Sequence, residues 1–116
     1  MIAYETRLGK IEISYEYLSK LIGSAVSSCY GVVGMAPSGK RQKLFNMLSK
    51  KEYADKGILV KGDSDSISVE LHIIVTYGMN INAIAKSIVN KVKFVINEST
   101  GITVDRITVK VDGIKE

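Results

Sequence analysis

Two periods of apolar residues alternate along this chain, and the switches between them mark out its elements. From Gly9 to Ser14 the apolar positions Ile11 and Ile13 follow the two-residue period of a short, half-buried strand. Leu18, Leu21, Ile22, Ala25, Val26 and Cys29 then recur at helical spacing as one stripe. Ser14 stands where it can cap this helix, Glu16 falls in its first turn, and Gly31 sits where a left-handed cap would close it. Gly23, inside the stripe, costs about 1 kcal/mol relative to alanine, which points to close packing on that side. Further on, KLFNMLSKKEYA (residues 43–54) places Leu44, Phe45, Met47 and Leu48 on one side of a short second helix.

The cleanest alternation runs from Ile67 to Tyr77. Ile67, Val69, Leu71, Ile73, Val75 and Tyr77 share one face, and Ser68, Glu70, His72, Ile74 and Thr76 share the other. A sheet with one wet face explains this pattern. Gly57 to Lys61 reads as the strand before it, joined by the turn GDSDS. Asn80 or Asn82 caps the next helix, whose stripe is Ile81, Ile84, Ala85, Ile88, Val92, Val95 and Ile96, and Thr100-Gly101 ends it. The last strand changes parity: Ile102 and Val104 are even, whereas Ile107, Val109 and Val111 are odd. A bulge near Asp105–Arg106 accounts for the change, since a slip of one residue turns every side chain over. The order is β-α-β-β-α-β with a short helical insertion after the first helix. This predicts an α+β split-βαβ sandwich, a four-stranded sheet with two helices on one face. Right-handed crossovers would put the first and last strands at its centre.

Length adds that residues 1–116 form a single domain with one core. The N-terminus lacks an apolar stretch of about 7–15 residues that a signal peptide needs, and no aliphatic run is longer than Ile73 to Val75. A single cysteine, Cys29, excludes an internal disulfide. These features predict a cytoplasmic protein. The net charge of +4 is unevenly placed, because residues 40–61 hold seven bases against two acids. Lys40, Arg41, Lys43, Lys50 and Lys51 are therefore candidate contacts for an anion or an acidic partner.

Catalytic chemistry is thin. GMAPSGKR (residues 34–41) fits seven of the eight positions of a nucleotide-binding loop, but Arg41 replaces the hydroxyl residue that ligates magnesium and Pro37 removes an amide. The preceding element also reads as a helix rather than a buried parallel strand. Asp63 and Asp65 open like a calcium loop that Ile67 and Ser68 break. His72 lies mid-strand as the only histidine, and Cys29 lies on an apolar stripe as a small hydrophobe. The aromatics fall mostly on helices, so the base-stacking strands of a common RNA-binding sheet are missing.

TRLGKIEIS, YGVVGM, VTYGMNI, AIAKSIVNKVKFVINESTG and ITVDRITVKVDGI together resemble the alkaline shock protein family from Thr6 to Ile114. The most specific pieces are Tyr77-Gly78, Thr100-Gly101 and the closing V-K-V-x-G-I. The resemblance implies a non-enzymatic protein of bacterial cell-envelope homeostasis and stress response, with no cofactor and no small-molecule substrate. It implies protein partners, a small membrane-anchored protein among them, which would recruit the chain to the inner face of the membrane. The function expected is thus that of an interaction or scaffold protein. The alternative is a nucleic-acid or anionic-surface binding module using residues 40–61. Weak self-association is expected through an edge strand at Ile58, Leu59 and Val60, which is short and rich in β-formers.

Overall fold

The computed structural model describes residues 2–36, 52–62 and 66–116. It begins with a hairpin, β1 (Ile2–Thr6) and β2 (Gly9–Ile13), closed by Arg7 and Leu8. Helix α1 (Tyr15–Ser27) follows at once, with the Ser14 side chain accepting from the Tyr17 N–H as an N-cap. Then come β3 (Val32–Met35), β4 (Glu52–Asp55), β5 (Ile58–Gly62) and the long β6 (Ser66–Thr76). Helix α2 (Ile81–Thr100), capped by the Asn80 side chain and closed by left-handed Gly101, leads into β7 (Thr103–Lys115).

The α+β class holds, with both helices on one face of a mixed sheet, but strand membership differs from expectation. β6 is the organising strand. β7 lies parallel along one side of it, and on the other side β5 pairs with Ile67 to Leu71 while β3 pairs with Ile73 to Val75. β3 and β5 thus share one edge end to end, so five strands lie only four across, with β4 outside β5. The strand expected first in the sheet, β2, pairs instead with β1 in a separate ribbon. A two-residue turn satisfies its backbone locally. With β2 absent from the sheet, the βαβ unit β6–α2–β7 is not split and its strands are direct neighbours.

Two further corrections concern pairing. Glu52 to Asp55 is a strand, not the end of a helix; the rest of the expected helical insertion lies outside the described residues. β5 is also no edge. β4 and β6 hydrogen-bond its two sides, and Ile58, Leu59 and Val60 are buried, which removes the self-association edge expected there.

The core forms where the pattern placed it. Ile67, Val69, Leu71, Ile73 and Val75 are buried beneath Leu18, Ile22, Val26, Ile84, Ile88, Val92 and Ile96 from the helices. Tyr77 lies past the strand end and is exposed, as is Ile81 at the start of α2. Gly23 packs α1 onto β5 closely, for a β-carbon there would lie 3.4 Å from the Ile58 side chain. The predicted bulge is present: the register of β7 against β6 slips between Val104 and Arg106, which leaves Ile107, Val109 and Val111 packed against the core. A second slip, between Val111 and Gly113, sets Asp112 out of register.

Candidate functional site

The face of the sheet away from the helices carries one buried histidine among charged partners. His72 sits at the seam where β5 gives way to β3. Its N–H donates to the Gly57 carbonyl at 2.9 Å and its carbonyl accepts from the Ala36 N–H at 2.8 Å. The side chain, only 6% exposed, is clamped between carboxylates. Nδ1 lies 2.6 Å from Asp112 Oδ2, and Nε2 lies 2.9 Å from Glu70 Oε2. Lys110 Nζ reaches the other Glu70 oxygen at 3.3 Å. The alternation of β6 puts Glu70 beside His72, and the second bulge of β7 supplies Asp112. Only an imidazolium donates both hydrogen bonds; either neutral tautomer leaves a lone pair against a carboxylate.

Burial raises the Glu70 pKa, but hydrogen bonds from His72 and Lys110, with their charges, outweigh it and hold the carboxyl below its ordinary 4.5. A depressed carboxylate contributes stability that is complete above its unfolded value and lost as pH falls through the lower folded value. The native chain should therefore lead Glu70→Gln in urea unfolding near neutral pH, with the gap closing on acidification below 4.5. A gap that stays constant through that range would show that the Glu70 charge contributes nothing.

A second feature lies at the end of β6. The Thr76 N–H donates to the Gly31 carbonyl and the Tyr77 N–H to the Lys115 carbonyl, both at 2.9 Å. The turn before β3, the turn after β6 and the end of β7 thus meet. Tyr30 and Tyr77 flank the first of these bonds and are 86% and 67% exposed, while Ile114, opposite Val75, is 56% exposed. Gly31 makes the turn possible. It is left-handed (φ 92°), and a β-carbon would stand 2.7 Å from the Ile84 side chain. It acts past the helix end, however, since Ser28 closes α1.

The candidate contacts Lys40, Arg41, Lys43, Lys50 and Lys51 lie outside the described residues, as do Asp63 and Asp65. Of the basic segment, Lys56 falls in the β4–β5 turn and Lys61 on β5. The stretch GMAPSGKR opens on β3, so it follows a strand, not a helix; that strand is antiparallel to β6, unlike the parallel strand that feeds a phosphate loop. Cys29 is buried, with Sγ 3.5 Å from the Ala25 carbonyl. No helix among the described residues is long and apolar enough to cross a membrane. Sequence reasoning missed the His72 clamp and the tyrosine pair. Glu70 and His72 on one strand face were a legible signal; Asp112 and Tyr30 come from distant segments and were not.

Comparison with known proteins shows the family. The chain is 32% identical over 114 residues to the uncharacterized protein YloU of Bacillus subtilis, covering 98% of this chain and 95% of that one. It is 33% identical over 114 residues to the uncharacterized protein Spy1614 of Streptococcus pyogenes, covering 98% and 94%. Among solved structures, a MamM CTD variant aligns with a TM-score of 0.53 at 14% identity over 89% of this chain and all of that one, a likeness of fold alone. Residues 3–116 match the model of the alkaline shock protein family, described by its cell envelope-related function, and the chain belongs to that family.

Proposed function

We propose that this alkaline shock family chain serves its envelope-related function by binding protein partners, not by catalysis, and that the tyrosine end of β6 is the docking surface. One observation carries this reading. Tyr30 and Tyr77 are both largely exposed, on two turns joined by the Thr76 N–H to Gly31 carbonyl hydrogen bond, with exposed Ile114 on the neighbouring strand end. Tyrosine supplies a large amphipathic contact at small entropic cost and is enriched at binding hot spots. The partner class comes from the resemblance to the alkaline shock proteins: a small membrane-anchored protein that brings the chain to the inner face of the membrane. Self-association, once β5 is enclosed, has an open edge on β7, which among the described residues pairs with β6 alone.

Affinity capture from native membranes tests the reading. A protein that co-purifies with the native chain should fall by about tenfold with Tyr30→Ser/Tyr77→Ser, because truncating central aromatic anchors removes much of the binding energy. Undiminished recovery with the folded double variant would place the docking surface elsewhere.

A further inference from the structure

We propose that the outer face of the sheet carries a binding site for a phosphate monoester, centred on Ser68 between Lys61 and Arg106. The strand registers build it. Lys61 pairs with Ser68 and Ser68 with Arg106, so one row across β5, β6 and β7 reads cation, hydroxyl, cation. The next row reads Leu59, Glu70, Thr108. Adjacent strands lie about 4.8 Å apart, which puts the two cationic side chains on either side of the Ser68 hydroxyl, within joint reach of one small anion. These residues line a depression of about 230 Å³.

The bulge at Asp105 makes the row basic. Val104 stands opposite Ile67, and without the extra residue Asp105 would stand opposite Ser68. The slip replaces that acid by Arg106, re-aiming a side chain as bulges next to binding sites do. Arg106 has no ion-pair partner among the described residues. Glu70, the one acid in the lining, has both oxygens engaged, one by His72 and one by Lys110, so its charge is compensated.

The donor set selects the ligand. The Arg106 guanidinium fork and two hydroxyls, Ser68 and Thr108, beside the positive charge of Lys61, match the several acceptor oxygens of a phosphate better than the two of a carboxylate. The open mouth leaves the ester substituent in solvent. That phosphate could belong to a soluble metabolite or to a lipid headgroup.

Amide chemical shifts of the full chain, titrated with glycerol 3-phosphate against sodium chloride of equal ionic strength, test the site. Sedimentation with phosphatidylcholine vesicles, with and without phosphatidic acid, tests the lipid source. The site predicts saturable shifts at Ser68, Arg106 and Thr108, or phosphatidic-acid-dependent sedimentation. Either should weaken by about tenfold in Arg106→Gln and in Ser68→Ala, the loss expected for charge-assisted donors, and persist in Lys10→Gln on the β1–β2 hairpin, outside the lining of the depression. Binding to the soluble probe alone assigns a free phosphate ester, and binding to vesicles alone assigns a headgroup. Absence of binding in both arms, or binding indifferent to Arg106→Gln and Ser68→Ala, overturns the proposal.

Discussion

Gly57→Ala should cost about 3 kcal/mol of folding stability, whereas Gly78→Ala should cost about 1 kcal/mol. The two glycines share a left-handed backbone, φ 84° and 85°. Placing an alanine there costs about 1–2 kcal/mol in either case. What differs is the surroundings. A β-carbon on Gly57 would stand 2.8 Å from the Ala36 carbonyl oxygen and 3.1 Å from that of His72, whereas one on Gly78 would meet nothing within 4 Å. The Gly57 obstacles are backbone atoms of Ala36, just past β3, and of His72 on β6, held by the hydrogen bonds that join Ala36 and Gly57 to His72. They cannot rotate away as a side chain would. Lys56 (φ 51°) and Gly57 form the two-residue turn of the β4–β5 hairpin, both left-handed as a type I′ turn requires. Urea unfolding of the two variants beside the native chain measures the contrast. Equal losses would mean that the end-to-end meeting of β3 and β5 is not as tight as described.

His72→Ala should also be costly, by about 2–3 kcal/mol near neutral pH. The change leaves two carboxylates, Glu70 and Asp112, facing a site from which their shared donor has gone. Both carboxylates are partly exposed and can recover some water, which keeps the loss below that of a fully buried pair. The clamp makes a second, sharper statement. In a Glu70→Gln/Asp112→Asn background the same His72→Ala change should cost less than half as much, because neutral amides leave no stranded charge. Denaturant unfolding of the full cycle gives the coupling directly. Additive losses would mean that His72 contributes by packing alone.

How much of this was legible in the sequence depended on distance along the chain. β6 and α2 were readable because each carries a long, uninterrupted period, and the caps Ser14, Asn80 and Gly101 are read from single residues beside it. The Asp105 bulge was readable for the same reason, since a parity change needs only β7 itself. β3 was missed because its four residues are too few to show a period, although Val32-Val33 after Gly31 favours a strand. β4 was missed because Leu44 to Leu48 reads as a helix and Lys56-Gly57 lacks the usual asparagine or aspartate of a type I′ turn. β2 was read as a strand but given the wrong partner, because alternation shows that a strand exists and not which neighbour satisfies it. The same limit explains the sites. Glu70 and His72 are two residues apart, whereas Asp112, Tyr30 and Arg106 reach their neighbours only through the sheet register.

Amide hydrogen exchange on the complex captured from membranes is the most direct test of the account, which holds that the chain works by docking a partner at the tyrosine end. Partner binding should slow exchange at residues 30–34 and 76–79, where the two turns meet, and leave the hairpin at residues 2–13 unchanged. Slowed exchange confined to the hairpin, with residues 30–34 and 76–79 exchanging as in the free chain, would contradict it.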